Sequence, residues 1–433
     1  MVDAHARLPV FALVDVNNFY VSCERVFDPK LEGLPVCVLS NNDGAVVARS
    51  AEVKALGVKM GEPWFKLKAL AKQHGIIGLS SNYTLYGDTS NRATAILRDY
   101  APDIEVYSID ESFLRVETVA HLHGGNDAMG VAMKARIRKW TGLPVCVGFG
   151  ASKTQAKFAN HLAKKNPEFD GVCDLTAMTD TARSAWMQTI DVAEVWGVGR
   201  RIAARLNTMG VRTVHDLAST PPATLRAQFG VVMERTGNEL RGISCLALED
   251  IVPAKKQIMA SRSFGTMVTS MHGLSEAVSW HVDRAATKLR EQASAASAVY
   301  VFVETNRFRV DDRQYSGGTV VPLLDASDDT RDINAAALCA LKRLYRPGYS
   351  YKKCGVMLME LTAKAQRQQT MFDDDQGRAK SARLMAVMDT INRTCGRGTL
   401  RSAASGTSLS WGMRSDMRSP RYTTNWDELP SAS

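Results

Sequence analysis

Apolar positions along this chain come in short runs broken by turns and by helix-spaced stretches. Residues 10–16 (Val-Phe-Ala-Leu-Val-Asp-Val) are apolar but for one acid near the end. The run is short and rich in β-branched and aromatic residues, which predicts a buried strand. Residues 35–40 and 144–150 predict two more. Residues 104–107 alternate Ile, Glu, Val, Tyr, and 113–116 resume Phe, Leu, Arg, Val. That pattern predicts two half-buried strands joined by a tight turn or strand end. Helical spacing of Leu85, Ala93, Ile96 and Leu97 predicts a helix over 83–100, with others over 129–140 and 152–165. Ser152 or Thr154 is placed to cap the last of these. A helical segment over 49–56 ends at Gly57 as its C′ residue. Strand, helix, hairpin, helix, strand predicts an α+β sandwich with helices on one face.

Further on, Trp196-Gly197-Val198-Gly199-Arg200-Arg201 leads into an amphipathic stretch over 202–209, a Gly-x-Gly turn between helices. Residues 247–256 read as a linker. A second α+β unit follows, with strands at 258–268, 298–305 and 353–361 and helices at 275–293 and 334–344. From residue 363 the chain turns polar. Residues 377–421 carry nine Arg or Lys against Asp389 and Asp416, with a Gly/Ser/Thr-rich middle. Such a basic, weakly apolar tail is expected to be flexible and interactive.

A length of 433 residues exceeds one core and predicts two to four domains. Apolar content of 45% and charged content of 23% are ordinary for a soluble globular protein. The net charge of +9 and pI near 9.1 favour a polyanionic partner, without choosing nucleic acid over membrane. No run of about 18 apolar residues predicts a membrane span, and residues 1–9 lack the apolar core of a signal peptide. The eight cysteines are scattered with no C-x-x-C pair, so they read as reduced thiols in a cytosol.

The chemistry concentrates on acids. Asp15 at the end of a buried strand is either a turn cap or a metal ligand on a rigid element. Asp110 and Glu111, adjacent and hemmed by apolar strands, repel each other unless a cation lies between them. Three carboxylates suit magnesium, which prefers hard oxygens and keeps substrate phosphates in its shell. Two such ions about 4 Å apart can hold the attacking and leaving oxygens of a phosphoryl transfer. The helix over 152–165 carries Lys153, Lys157, Lys164 and Lys165 and no acid. It is a solubilising face or a phosphate contact. Arg49 and Lys54 alone read as a solvated face. The Gly-x-Gly turn is a plain helical turn or, with Arg200, Arg201 and Arg205, a grip on a duplex backbone. Together these parts fit a template-dependent nucleotidyl transferase. Nucleases and nucleotide cyclases, which also pair acids with divalent metals, stay open on this reading.

Three stretches carry a resemblance: residues 15–24 (Asp-Val-Asn-Asn-Phe-Tyr-Val-Ser-Cys-Glu), 55–61 (Ala-Leu-Gly-Val-Lys-Met-Gly) and 107–113 (Tyr-Ser-Ile-Asp-Glu-Ser-Phe). They resemble the signatures of the Y-family translesion DNA polymerases. Residues 39–44 (Leu-Ser-Asn-Asn-Asp-Gly) and 63–66 (Pro-Trp-Phe-Lys) narrow this to the UmuC type, the catalytic subunit of bacterial DNA polymerase V. The resemblance implies a right-hand α+β multidomain polymerase. Its palm would span 1–27 and 83–171, small fingers 28–82, and a helical thumb with a helix-hairpin-helix 172–244. An α+β little finger over 253–362 and a flexible, clamp-binding, basic tail over 363–433 would follow.

The resemblance also implies roles. Asp15, Asp110 and Glu111 hold two Mg²⁺ ions, with the Val16 carbonyl as a further ligand. Tyr20 is the steric gate that excludes a 2′-hydroxyl. Phe19 lies beside it, and the N–H groups of Asn18 and Phe19 face the triphosphate. Lys54 and Lys164 contact phosphates, and Ala45 and Val47 roof the nascent base pair, where small residues lower discrimination. Many relatives carry Tyr and Arg where this chain has Ala51 and Lys54, so Arg49 is the compensating cation. Gly197 and Gly199 form the thumb hairpin. Gln368-Gln369-Thr370-Met371-Phe372 resembles a sliding-clamp pentapeptide, with Gln368, Met371 and Phe372 as the binding residues. Implied partners are primed, damaged DNA and deoxynucleotides, a cleaved UmuD-type dimer, a RecA filament and the clamp, but no membrane. The implied setting is the SOS response in the bacterial cytoplasm, at the nucleoid, with no proofreading exonuclease. The rival from another class is a non-catalytic DNA-bound adaptor that recruits repair proteins through its tail.

Overall fold

A computed structural model of the chain describes residues 8–249, 254–309, 311–366, 375–407 and 411–429. Two compact units emerge: Met1–Ser40 with Gly44–Val252 and Met417–Ser433, and Asn41–Asp43 with Pro253–Asp416.

The first unit runs β1 (Phe11–Val16), α1 (Phe19–Phe27), β2 (Val36–Leu39), β3 (Val46–Arg49), α2 (Ala51–Ala55), α3 (Trp64–His74), β4 (Ile77–Ser80) and α4 (Tyr83–Leu97). It continues with β5 (Ile104–Val106), β6 (Glu111–Arg115), α5 (Asn126–Thr141), β7 (Val145–Gly150), α6 (Lys153–Lys165) and β8 (Val172–Asp174). Five short helices close it: α7 (Asp180–Thr189), α8 (Arg200–Thr208), α9 (Val214–Ser219), α10 (Pro222–Phe229) and α11 (Val231–Leu240).

Its main sheet has the order β5-β6-β1-β7-β8. Strand β1 is buried along its whole length because both faces are covered. Ala12, Val14 and Val16 pack with Leu85, Ala93, Met129 and Met133 of α4 and α5. Phe11 and Leu13 point the other way, to Phe113 and Ala156 of α6. The expectation of helices on one face is therefore corrected. Helix α6 lies so close that a Cβ on Gly148 or Gly150 would collide with its backbone. Asn160 of α6 donates to the carbonyls of Leu13 (3.3 Å) and Cys146 (2.8 Å), so the helix is bonded to the sheet as well as packed on it. Ser152, rather than Thr154, caps it, accepting from Gln155 N–H. A smaller sheet, β3-β2-β4, has its own core of Cys37, Leu39, Val46, Val53 and Leu67. The five short helices bury Leu206, Val214, Leu217, Leu225 and Leu240.

The second unit is a four-stranded antiparallel sheet of order β11-β10-β12-β9 with two long helices. Its elements are β9 (Ile258–Val268), α12 (Met271–Glu291), β10 (Ser294–Thr305), β11 (Ser316–Ser327), α13 (Thr330–Leu344), β12 (Tyr351–Ala363) and α14 (Asp375–Thr394). The two helices and the sheet share one core, centred on Val278, Val282, Val301 and Val356. Strand β11 went unforeseen: it is an edge strand, has Gly317-Gly318 among its first pairs and carries Pro322, all features that suppress a strand signature. Where composition predicted a flexible tail, the described residues form the 20-residue helix α14 and bury Trp411, 2% exposed, against Phe264. Residues from Met417 onward return to the first unit. All eight cysteines are free. No described helix is long and apolar enough to cross a membrane.

Candidate active site

One ladder places the acids. Strand β1 pairs antiparallel with β6, and Asp15 stands directly opposite Glu111. Directly opposed residues share a face, with Cβ atoms about 5 Å apart. Asp110 sits in the turn just before β6, and its carbonyl accepts from Val16 N–H at 2.9 Å. Ser108 braces that turn: its Oγ donates to Asp110 Oδ1 at 2.6 Å and accepts from Glu111 N–H at 3.1 Å.

Cations reach these acids from α6. Lys164 Nζ lies 2.5 Å from Asp15 Oδ1, and Lys157 Nζ lies 2.7 Å from Glu111 Oε1. Lys157 also sits over the rings of Tyr107 (4.7 Å) and Trp196 (5.2 Å). Asp15, Glu111, Lys157, Lys164, His161 and Trp196 line a cleft of about 290 Å³. Burial pushes Asp15 up to about 6; Lys164 opposes this, and Glu111 and Asp110 add to it.

Among the described residues, no three His, Cys, Asp or Glu side chains converge closely enough to hold a metal ion. Lysine and serine partners, which supply the positive charge and donors that clustered carboxylates require, hold the three acids individually. The donor set still suits a hard divalent cation: carboxylate oxygens on facing positions, with a buried Asp15 whose ionisation added positive charge would favour.

Beside the acids lies the start of α1. Asn18 there adopts a left-handed conformation (φ 49°), and its side chain does not cap the helix. Instead Asn18 Oδ1 accepts from Lys54 Nζ at 2.5 Å. Burial, Arg49, Lys164 and Lys165 all push Lys54 below the usual lysine range, which marks a crowd of cations around this helix start. Phe19 is buried, whereas Tyr20 is half-buried and stacks on Tyr86 at 4.5 Å. Ala45 N–H donates to Ser40 Oγ at 3.1 Å, and Val47 lies half-buried in β3. Arg49 donates to the Val58 carbonyl, which holds its head against the protein.

Elsewhere the expected residues divide. Gly197 (φ 88°) makes the turn before α8, whose N-cap is Gly199 with no side-chain cap. Arg200 and Arg201 are exposed there. Arg205 is turned back, donating to the Gln228 carbonyl at 2.8 Å over the Phe229 ring, so it is not presented with them. Lys153 is likewise withdrawn into a buried pair with Glu105. Gln368, Met371 and Phe372 lie outside the described residues. Trp196 was missed as a residue of this cleft, and Lys157 was named only as one of four lysines on its helix. The spacing of Lys157 from Lys164, about two helical turns, was the available signal.

The first unit's two sheets and short helices and the second unit's α+β sheet, each taken by itself, are the parts of a right-hand polymerase fold: palm, small fingers and helical thumb in the one, α+β little finger in the other, with a basic tail. A Y-family DNA polymerase chimera superposes with a TM-score of 0.62 at 22% identity, covering 81% of this chain and 99% of that one. The impB/mucB/samB family model matches residues 14–161 and its C-terminal domain residues 255–371. The thumb domain of DNA polymerase-iota matches residues 194–243, and a domain of unknown function (DUF4113) matches 382–432. Protein UmuC of Salmonella typhimurium is 45% identical over 97% of this chain and 99% of its own length. Protein SamB of the same organism is 44% identical over 98% and 99%. The chain belongs to the impB/mucB/samB family, as a UmuC-type member of the Y-family DNA polymerases.

Proposed function

We propose that this chain is the catalytic polymerase of damage bypass: it adds deoxynucleotides to a primer opposite damaged template, as part of the SOS response in the bacterial cytoplasm. The observation that carries this reading is the facing pair Asp15 and Glu111, with Asp110 beside them, under lysines that can exchange a carboxylate for a phosphate. Residues 1–27 and 83–171 would be the palm, 28–82 the fingers, 172–244 the thumb, 253–362 the little finger and 363–433 the tail.

Asp15, Asp110, Glu111 and the Val16 carbonyl would hold two Mg²⁺ ions. Bound there, they would offset the charge on the acids and a triphosphate and orient the attacking and leaving oxygens. The chain's own residues do the rest. Lys54, Lys164 and Lys157 can move from their present acceptors to triphosphate oxygens, aided by the uncapped N–H groups at the start of α1. Tyr20 would lie under the sugar and exclude a 2′-hydroxyl, while Ala45 and Val47 would leave room for a damaged base. Gly197, Gly199, Arg200 and Arg201 would grip duplex backbone without reading sequence. A cleaved UmuD-type dimer, a RecA filament and the sliding clamp are the proposed partners.

Primer extension on an abasic template tests this. The wild-type chain with Mg²⁺ should extend and the Asp110→Ala chain should not. Equal extension by both would remove the proposal and leave the adaptor reading, which gives three costly carboxylates no use.

A further inference from the structure

A buried acid that the polymerase chemistry does not use lies one helical turn past Tyr20. Glu24 of α1 is 2% exposed, and a buried carboxylate is costly unless hydrogen-bonded. Its Oε1 takes two hydroxyl donors: Tyr86 of α4 at 2.6 Å and Ser419 at 3.1 Å. Tyr86 is fully buried, and its ring stacks on Tyr20 at 4.5 Å and 15°. Tyr20 and Glu24 are four residues apart on one helix and therefore share a face. A continuous set of contacts thus runs from Ser419 through Glu24 and Tyr86 to the ring of Tyr20.

Residues 417–429 hold the donor end in place. Ser80 N–H donates to the Met417 carbonyl at 2.9 Å, and Met417 N–H donates back to Ser80 Oγ at 3.0 Å. The Asn82 amide donates to the carbonyls of Ser419 (3.2 Å) and Pro420 (3.0 Å) and to Ser419 Oγ (3.0 Å). Ser419 Oγ can therefore accept from Asn82 while donating to Glu24. Tyr422 stacks on Phe27, at the end of α1, at 4.7 Å and 7°. Arg421 and Asn425 both donate to the Glu428 carboxylate and fold the segment on itself. The segment is thus tied to α1, which carries Tyr20, and to the start of α4, which carries the ring beneath it.

We propose that residues 417–429 form a strap that sets the position of Tyr20 through Ser419, Glu24 and Tyr86, so that the C-terminal segment tunes discrimination between deoxynucleotides and ribonucleotides. This rests on the reading of Tyr20 as the sugar gate. Glu24 and Ser419 are positioning residues: neither needs to touch nucleotide. Burial pushes Glu24 up and the two hydroxyls pull it down, so losing the Ser419 donor favours protonation or rotation of the carboxyl, which weakens or redirects the bond that Tyr86 makes to it.

The test measures kcat and KM for a deoxynucleotide and its ribonucleotide by primer extension, using the full-length chain with the accessory proteins that support extension. Ser419→Ala should lower the deoxy-to-ribo ratio of kcat/KM by about tenfold, the scale of one hydrogen bond to a charged group. Most of the change should be a gain in ribonucleotide use, with deoxynucleotide kcat kept within about twofold. Ser419→Thr, which keeps the hydroxyl, should restore the ratio, and Glu24→Gln should lower it. A purely structural loss would depress both nucleotides in parallel and leave the ratio alone, which overturns the proposal. If Ser419→Ala does not fold, Asn82→Ala, which loosens the same strap, must shift the ratio in the same direction or the proposal fails. Tyr20→Ala separates the two readings. An unchanged ratio there removes the gate itself, whereas a changed ratio beside an inert Ser419→Ala removes only the strap.

Discussion

Helix α6 presents three lysines to three acids of one sheet, and they end in different situations. Lys153 and Glu105 are 5% and 8% exposed and lie 2.7 Å apart. Glu105 also accepts from Glu249 N–H at 2.7 Å, and Lys153 reaches the Ala247 carbonyl at 3.4 Å. This pair is walled in and its bonds are used up. Lys157 with Glu111 and Lys164 with Asp15 form at the same 2.5–2.7 Å but open onto the cleft. The same two side-chain types thus make a fastening where chain covers them and an exchangeable contact where a ligand can enter. Access, more than the strength of the pair, separates structure from function here.

The largest expected effect lies on the open side. Glu111→Ala should lower extension by about 10³-fold or more, the range seen when transition-state charge loses an oriented partner, while the melting temperature stays nearly unchanged. On the closed side the balance inverts. Glu105→Ala leaves a buried ammonium without its partner and should cost about 3–5 kcal/mol of stability, read by denaturant titration, with turnover per folded molecule kept. Glu105→Gln combined with Lys153→Met should recover most of that loss. Lys164→Ala should raise the deoxynucleotide KM about tenfold or more, the scale of a charge-assisted hydrogen bond, and a stability loss without a KM change would place it with Lys153.

A smaller effect concerns pH. Asp15 ionises near 6 in the folded chain because it is buried among acids, against an ordinary value near 3.8. Between about pH 4 and 6 the metal-free folded state therefore binds more protons than the unfolded state, and this residue's contribution to stability falls as pH rises through that window. Asp15→Asn should flatten that part of the stability profile. The smallest change is expected at the thumb: Arg200→Ala should weaken DNA binding alike for all sequences and reduce the salt slope by about one.

Much of this was legible in the residues. The apolar runs ending at Val16 and Gly150 announced β1 and β7, because strands covered on both faces leave no polar alternation to misread. The acids after Tyr107 were legible because two adjacent carboxylates between apolar strands have few structural uses. What stayed hidden depends on partners far along the chain. Glu24 reads as an ordinary helical acid until Tyr86 and Ser419 are seen around it. Lys153 and Lys157 are alike in sequence and differ only in what covers them. Trp411 lies in a stretch too polar to announce a core residue, yet it is buried because unit two lends it Phe264 and Trp280.

The central claim is that Asp15, Asp110 and Glu111 are held by lysine and serine only until divalent cations displace them. Counting Mn²⁺ by electron paramagnetic resonance in the presence of primed DNA and a non-hydrolysable deoxynucleotide tests it most directly. Two ions per wild-type chain, and at least one lost in Asp110→Asn, is the expected result. Unchanged Mn²⁺ stoichiometry and affinity in Asp15→Asn, Asp110→Asn and Glu111→Gln alike would contradict it.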